Sequence, residues 1–528
     1  MLRNRKRLTT LLVMMMVASS IWVAPVASAT SNRCERRNNN SIHKLLDCVE
    51  VDGVREHQKA LQRIADRNDG TRASGTPGYD ASVKYVVKKM RAAGYIVTVD
   101  PFVFDFVDVL APSVLDQVSP TATSYVEGTD FTTMDYSGSG DVSAPVQAVD
   151  VVVPIGDNPA GTSNSGCEPE DFAGFTAGNI ALMQRGTCAF ADKAANAEAA
   201  GAVAAVIFNE GQPSVDGSED RAALLFGTLG AAGFGIPVLG TTYALGETLV
   251  GLAGAAPGLT MKVFTSTLSE TRETANVFAE SRRGATDNIV MAGAHLDSVL
   301  AGPGINDNGS GSAALLEIAE QMAKVRPKNQ VRFAWWGAEE NGLLGSIDWV
   351  VRQADSGDLA NVALYLNFDM IGSPNYVRFI YDGDNSDTGT PGDLPAGSGA
   401  IEGLFEKYFA KRHLPTEPTI AGDRSDHFAF AVFGVPVGGL FTGAEEIKTA
   451  EQAAVFGGRA GEALDPCYHA ACDTYKNVSK RALGQMTDAA AYAIFSFAMS
   501  TKLVDEEAGA PVAPLRAAAP DLTLKKAS

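Results

Sequence analysis

Between residues 295 and 369, histidine and acidic side chains recur at the ends of apolar segments. They are His295, Asp297, Asp307, Glu339, Glu340 and Asp369. Imidazole and carboxylate ligands without cysteine suit a catalytic zinc site that keeps one coordination position open for water. Several carboxylates can also offset the charge of two dications held about 3.5–4 Å apart. The pattern therefore predicts a metal-dependent active site.

Two of these acids, Glu339 and Glu340, are adjacent and follow an apolar segment with two tryptophans. Adjacent acids are usually solvated charge, but this setting favours a divided role. One would bind metal, and the other would handle the proton of the attacking water. Asp297 is placed to orient His295 through its second ring nitrogen, as carboxylates near ligating imidazoles commonly do.

A further histidine lies in the segment Asp465-Pro-Cys-Tyr-His-Ala-Ala-Cys-Asp473. A disulfide between Cys467 and Cys472 would close a small loop around Tyr468 and His469. A histidine held beside a tyrosine in this way is a better functional candidate than an isolated surface histidine. Both residues therefore join the candidate site.

The chain has six cysteines, an even number that favours disulfides in an oxidising compartment. Residues 1–29 are typical of a signal peptide, because a basic start and an apolar run precede Ala27-Ser28-Ala29. We therefore predict a secreted or periplasmic protein that is soluble and without a membrane span after cleavage. Proximity in the sequence gives the predicted pairs Cys34–Cys48, Cys167–Cys188 and Cys467–Cys472.

These side chains must be positioned by regular elements, and strand and helix patterns alternate over residues 275–500. Such alternation predicts βαβ units and a largely parallel sheet. Open sheets of this kind bind ligands at the carboxyl ends of their strands, where the acids and His295 fall. The predicted elements are strands at 288–293, 331–336 and 362–368 and a helix at 310–324.

The first half of the chain has a different sequence pattern. Helices are predicted over 50–92 around a loop at 70–78, followed by a strand at 95–99. Residues 112–140, rich in serine, threonine and glycine, are predicted to be a connector. Within 135–270 the predicted elements are strands at 149–153, 180–183 and 203–208 and one alanine-rich helix at 190–202.

Five ordered motifs resemble the secreted bacterial double-zinc leucine aminopeptidases. They are Ala294-His295-Leu-Asp297-Ser, Gly304-Ile-Asn-Asp307-Asn-Gly-Ser-Gly, Trp336-Gly-Ala-Glu339-Glu340, Asn367-Phe-Asp369-Met-Ile-Gly and Cys467-Tyr-His469. The resemblance spans about residues 270–500 and the loop and helix near 75–95. It implies an α/β fold, namely a three-layer α/β/α zinc-exopeptidase domain with a mixed, mostly parallel sheet.

The resemblance also implies a ligand set for two zinc ions. Asp307 would bridge the ions, His295 and Asp369 would complete one site, and Glu340 and His469 the other. Some relatives bind calcium as well, but the sequence offers no motif for that ion, since Asn306-Asp-Asn-Gly fails the calcium-loop pattern.

Other roles follow from the same resemblance. Glu339 would be the general base towards a water bridging the zinc ions, Asp297 the orienting partner, and Tyr468 a donor to the tetrahedral oxyanion. Arg424, in the segment Asp423-Arg-Ser-Asp-His427, would contact the substrate. For Arg424 and His427, solvated or packed roles suit the sequence equally well.

The segment Gly186-Thr-Cys-Ala-Phe-Ala-Asp-Lys193, with the helix and strand after it, resembles the protease-associated domain. This resemblance implies a small β-rich insert, although an unrelated small α/β insert fits the same residues. The predicted organisation is a signal peptide at 1–29, the first part of the peptidase domain at 30–134, the insert at 135–270, the zinc peptidase domain at 271–503 and an Ala/Pro-rich tail at 504–528.

The predicted activity is removal of N-terminal residues, large and apolar like leucine, from peptides with a free N-terminus. A carboxylate-rich site can hold the free α-ammonium group of such substrates. Alternatives are a carboxypeptidase or glutaminyl cyclase of the same fold, or a receptor-like relative without catalysis. A thermolysin-like enzyme and a serine hydrolase are disfavoured, because His-Glu-x-x-His and Gly-x-Ser-x-Gly do not occur.

Charge narrows the range of partners. The chain carries 62 acidic and 43 basic residues, a net charge of −19. Such a field repels nucleic acid and anionic lipid, so neither is expected as a partner. We expect a monomer acting on peptide or protein substrates.

Overall fold

The computed structural model describes residues 34, 37–156, 158–212, 220–389 and 394–509. The predicted signal peptide and most of the predicted tail lie outside these ranges. Three disulfides join the same pairs as predicted, Cys34–Cys48, Cys167–Cys188 and Cys467–Cys472. Of the helices within the described ranges, none combines the length and apolar character needed to cross a membrane.

Strands and helices alternate through most of the described chain. The strands are β1 (Ile96–Ser119), β2 (Thr123–Ser124), β3 (Phe131–Thr133), β4 (Gly140–Ala148), β5 (Ile180–Gln184), β6 (Ala204–Phe208), β7 (Val238–Thr241), β8 (Thr260–Glu280), β9 (Ala285–His295), β10 (Asn329–Trp336), β11 (Val362–Phe368), β12 (Phe379–Tyr381), β13 (Glu417–Thr419) and β14 (Val437–Phe441). The helices are α1 (Ile42–Leu46), α2 (Val51–Ala65), α3 (Pro77–Ala93), α4 (Phe190–Ala199), α5 (Tyr243–Gly254), α6 (Gly309–Met322), α7 (Leu344–Ser356), α8 (Ser398–Ala410), α9 (His427–Val432), α10 (Ala450–Phe456), α11 (Lys480–Met499) and α12 (Lys502–Glu507).

The sheet of the larger domain runs in the order β13-β12-β14-β11-β9-β10-β8. Its central strands β14, β11, β9 and β10 are parallel neighbours, whereas β12 and β8 join them antiparallel. The predicted mixed, mostly parallel sheet is therefore confirmed. Because β11, β9 and β10 run side by side in one direction, their carboxyl ends share one edge.

Helices cover both faces of this sheet, as the alternating side chains of β10 make clear. Phe333 and Trp335 pack into a core built with α2, α3, α6 and α11. Ala334 and Trp336 point to the opposite face and pack against α7 and α9. Strands buried on both faces need near-continuous apolar sequence, which is why the segments before the acids are so hydrophobic. The predicted three-layer α/β/α architecture is confirmed.

One long ribbon joins the two domains. Strand β1 pairs antiparallel with β8 from Ile96 opposite Glu280 to Ser119 opposite Thr260. Beyond it, β8 continues into the insert, whose strands follow in the order β4-β5-β6-β7-β3. Helices α4 and α5 pack on this second sheet, so the insert has one helix more than the sequence indicated.

Three predicted elements were wrong in detail. Residues 112–119 belong to β1 and not to a connector, since pairing with β8 stabilises a polar strand that no local pattern marks. The predicted strand at 149–153 is absent, because Asp150 adopts a left-handed backbone with φ of 44° and pairing ends at Ala148. The tail begins later than residue 504, since α12 extends to Glu507 and buries Val504.

Candidate active site

The predicted site residues meet at the shared edge of β11, β9 and β10. His295 is the last residue of β9, and Asp369 follows β11 directly. Glu339 and Glu340 come just after β10, and Asp307 lies in the loop that leads into α6. The strand order therefore brings together side chains that are up to 74 residues apart in the sequence. It is the rim at which open α/β sheets bind ligands.

Asp307 stands between two histidines and offers one carboxylate oxygen to each. Its Oδ1 atom lies 3.2 Å from His295 Nε2, and its Oδ2 atom lies 3.3 Å from His469 Nε2. Asp369 Oδ1 is 3.2 Å from His295 Nε2, and Glu340 Oε2 is 3.0 Å from His469 Nε2. The five side chains thus form two groups of three that share Asp307.

Two acids remain, and Glu339 lies close enough to His295 and Asp369 for these three to hold a metal ion as well. Glu339 Oε2 is 3.8 Å from His295 Nε2, farther than the Asp307 and Asp369 oxygens. Asp297 Oδ1 faces the other ring nitrogen, Nδ1, at 3.5 Å. Asp297 is fully buried, and neither of its oxygens has a hydrogen-bond donor among the described residues.

The pocket is rich in buried carboxyl groups. Burial raises the pKa of Glu340 to about 7, and the neighbouring Asp307 carboxylate adds to the effect. Burial likewise raises the pKa of Glu339 well above its usual range. Burial lowers the pKa of His295, but the Glu339 and Asp369 carboxylates outweigh it and raise the pKa well above 6.5. The carboxyl groups outnumber the two imidazoles, so further cations would be needed to keep all of them ionised.

This donor set fits divalent zinc. Each group of three combines one imidazole with two carboxylates, the ligand types of catalytic zinc sites. Glu340 Oε1 is buried without a hydrogen-bond partner among the described residues, so the protein alone does not satisfy it. Buried unpaired charge costs several kcal/mol unless a metal ion compensates it.

A hydrogen-bond chain behind β11 orients Asp369. Ser425 Oγ donates to Asp369 Oδ2 at 2.7 Å, and Asn367 Nδ2 donates to Ser425 Oγ at 2.8 Å. The same asparagine accepts from the Tyr365 hydroxyl, which in turn accepts from Trp336 Nε1. From the sequence, Arg424 was singled out in this segment, but the neighbouring Ser425 was missed.

Arg72 is a second residue that the sequence did not single out. It is completely buried and donates to three backbone carbonyls, those of Leu296, Pro303 and Gly304. These carbonyls belong to the single loop between β9 and α6, which carries both Asp297 and Asp307. Burial lowers the pKa of Arg72 to about 10, although the nearby acids oppose the effect. The guanidinium therefore stays charged beneath the acidic pocket.

The disulfide-closed loop presents Tyr468 and His469. Their rings stack with centroids 3.8 Å apart, and His469 has a left-handed backbone with φ of 54°. Arg424 Nη2 donates to the Tyr468 hydroxyl at 3.3 Å, while Arg424 Nη1 pairs with Glu445 Oε1 at 2.8 Å. Burial, aided by Asp307 and Glu340, raises the pKa of Tyr468, so its hydroxyl keeps its proton.

His427 lies apart from these groups. Its ring packs 4.7 Å from that of Tyr381 and is buried, and this burial lowers the pKa of His427 to about 4. It is therefore a packed, neutral side chain, one of the two roles left open for it.

Comparison with known proteins agrees with the fold. Residues 276–494 match the model of peptidase family M28, and residues 145–249 match that of the PA domain. An aminopeptidase of Pseudomonas aeruginosa is 48% identical over 464 residues, covering 88% of this chain and 84% of that protein. A probable lipoprotein aminopeptidase, LpqL, of Mycobacterium tuberculosis is 41% identical over 459 residues, 85% of each chain.

Solved structures show the same architecture. The aminopeptidase from Aneurinibacillus sp. strain AM-1 superposes with a TM-score of 0.61 at 25% identity, covering 86% of this chain and 96% of that one. A zinc aminopeptidase from Bacillus subtilis shares the fold, with a TM-score of 0.54 at 22% identity over 86% and 97% of the two chains. The chain therefore belongs to peptidase family M28, carries a PA domain, and is a peptide hydrolase of the aminopeptidase type.

Proposed function

We propose that this enzyme is an exported two-zinc aminopeptidase that releases large apolar, leucine-like residues from free N-termini. The observation that carries the proposal is the position of Asp307, with one oxygen towards His295 and the other towards His469. One ion would be held by His295, Asp307 and Asp369, and the other by His469, Asp307 and Glu340. When bound there, zinc supplies Lewis acidity and lowers the pKa of water towards about 7.

The protein's own residues would handle the proton and orient the reacting groups. Glu339 belongs to neither ligand group, so its carboxylate is free to take a proton from the attacking water and return it to the leaving amine. Asp297 would fix the ring of His295 through Nδ1. Tyr468, which keeps its hydroxyl proton, would donate to the oxyanion, and Arg424 would hold the phenol in place.

The charges around the site favour an aminopeptidase over a carboxypeptidase. A carboxypeptidase needs a cation for the terminal carboxylate of its substrate. Arg424 is already paired with Glu445, and the donors of Arg72 are engaged by backbone carbonyls. The surplus of carboxylates instead suits a substrate α-ammonium group. The second group of three, around His469, disfavours a glutaminyl cyclase with one metal ion. The complete ligand set disfavours a relative without catalysis.

Three further observations support the remaining parts of the proposal. Three disulfides suit an oxidising compartment outside the cytoplasm, and the M. tuberculosis relative is described as a lipoprotein. Several fungal relatives, such as one of Trichophyton rubrum that is 47% identical over 341 residues, are named leucine aminopeptidase 2. The Bacillus subtilis neighbour is described as a zinc enzyme.

The first experiment compares leucine p-nitroanilide with its acetylated form, before and after chelation, with metal counted per chain. We expect hydrolysis of the unblocked substrate alone, loss of activity on chelation, and two zinc ions per active chain. Cleavage of the blocked substrate, or activity that survives complete metal removal, would contradict the proposal.

The roles of the two glutamates are tested by Glu339→Ala and Glu340→Ala. We expect Glu339→Ala to keep both zinc ions and to lose about 10²–10⁴-fold in kcat, the usual contribution of a general base. Glu340→Ala should instead lose one zinc ion. If Glu339→Ala loses zinc and Glu340→Ala keeps it, the two assignments are reversed.

A further inference from the structure

Asp473 lies behind the bridging aspartate, outside the set of residues that face the pocket. It follows Cys472 directly and is buried, with 2% of its surface exposed. Its carboxylate accepts hydrogen bonds from two consecutive peptide N–H groups. Asn306 N lies 2.9 Å from Asp473 Oδ1, and Asp307 N lies 2.9 Å from Asp473 Oδ2.

These bonds act on the backbone of the residue whose two side-chain oxygens face different histidines. A rotation of the Asp307 backbone would shift both oxygens at once, because they share one short side chain. A carboxylate is a strong acceptor for this task, since charge-assisted hydrogen bonds are roughly twice as strong as neutral ones. In Asp473→Asn, an amide nitrogen would replace one of the accepting oxygens. An N–H donor would then face one of the two peptide N–H groups.

The same aspartate ties together two of the three loops that hold the second ligand group, those of Asp307 and His469. His469 and Asp473 lie on one loop, closed by the Cys467–Cys472 disulfide, and Ile305 N donates to the main-chain carbonyl of Asp473 at 3.1 Å. Asn477 Nδ2 donates to Asp473 Oδ1 at 3.2 Å and fixes the carboxylate from the far side. A shift of this loop therefore moves His469 and the backbone of Asp307 together.

We propose that Asp473 is a positioning residue, which sets the bridging carboxylate of Asp307 and couples it to the His469 loop. The proposal rests on the two-zinc function proposed above. Because Asp473 is buried behind the pocket, it does not touch the substrate, and its effect reaches the reaction through metal binding alone.

The test is Asp473→Asn, with Asp382→Asn as the matched control. Asp382 is also fully buried and accepts from consecutive backbone N–H groups, those of Ser386, Asp387 and Thr388. The two variants make the same chemical change in the same kind of hydrogen-bond cradle. Zinc affinity is measured by competition with a fluorescent chelator, and kcat and KM are measured at saturating zinc.

We expect Asp473→Asn to bind zinc about 10- to 100-fold more weakly, the usual cost of removing a residue that orients a metal ligand. Asp382→Asn should keep the wild-type affinity, and excess zinc should restore Asp473→Asn with an unchanged KM. If Asp473→Asn folds too poorly to purify, Asp473→Glu serves instead, because its extra methylene pushes the carboxylate out of register with the N–H pair and should also weaken zinc binding.

Unchanged zinc affinity in a folded Asp473 variant would overturn the proposal, as would an equal loss in Asp382→Asn. A wild-type enzyme that binds fewer than two zinc ions would overturn the proposed function itself. The wild-type zinc count therefore separates the two failures.

Discussion

The turn that carries Glu339 depends on a hydroxyl group from the loop between α2 and α3. Ala338 has a left-handed backbone with φ of 52°, and its N–H donates to Ser74 Oγ at 2.7 Å. Both residues are buried, so water cannot replace a lost acceptor. Beside this bond, Gly337 N donates to Asn276 Oδ1 at 3.1 Å. Ser74→Ala removes one of these two bonds and keeps the other.

The size of the effect follows from the burial of that N–H. An unsatisfied buried donor costs about 1–3 kcal/mol, and the turn can relieve this cost only by rotating, which displaces Glu339. At about 1.36 kcal/mol per factor of ten, kcat should fall by about 5- to 150-fold. The zinc content should be retained, because neither of the proposed ligand groups includes Glu339.

The assay measures kcat, KM and zinc content for Ser74→Ala, Ser74→Thr and Ser82→Ala. Ser74→Thr keeps a hydroxyl and should retain most of the activity. Ser82, also fully buried, donates to Gly78 O inside α3, so its alanine variant tests the loss of a buried hydroxyl as such. If Ser74→Ala keeps the wild-type kcat, or if Ser82→Ala loses as much, the hydroxyl of Ser74 does not hold the Glu339 turn.

Two further predictions concern stability. Burial raises the pKa of Glu317 from 4.5 to about 7, so folding favours its protonated form, and this stabilisation is lost as pH rises through about 7. Glu317→Gln should therefore gain stability over the wild type between pH 5 and 8, by at most about 3 kcal/mol, and a difference in Tm that does not change with pH would contradict this. Replacing Cys467 and Cys472 by serine opens a loop with a sequence separation of 5, which costs about 2 kcal/mol in chain entropy. Zinc retention and kcat should fall further than in the matched Cys34→Ser/Cys48→Ser variant. Equal zinc content and kcat in the two variants would show that the Cys467–Cys472 disulfide has no special role in the site.

The sequence was most informative where burial imposes a repeating pattern. Strand β11 was predicted with the bounds it has in the structure, since its two buried faces favour a nearly continuous apolar run, which only Asn367 interrupts before Asp369. Several candidates could be read in the same way, because His295 ends β9, Asp369 directly follows β11, and the two adjacent glutamates come just after β10. Their convergence needed only the rule that parallel neighbours end at one edge.

Long-range pairing explains most of what was missed. The polar second half of β1 is a strand because β8 lies beside it, and no local pattern in residues 112–119 records that partner. The same holds for Arg72 and Asp473, whose importance lies in contacts with backbone groups more than 160 residues away. Backbone groups leave no mark in the sequence, so residues that support loops are harder to find than residues that carry chemistry.

The β1–β8 ribbon has a consequence for the history of the gene. Val107 and Ser269 are paired neighbours on its two strands, so the chain leaves the peptidase domain and returns to it at adjacent points. Paired residues of antiparallel strands lie about 4.5–5.5 Å apart, a gap that a two-residue turn closes. In a chain without residues 108–268, Val107 and Ser269 would themselves form such a two-residue turn, between the paired residues Phe106 and Glu270. We therefore expect gain or loss of the insert as one block to leave the rim of the peptidase sheet in place.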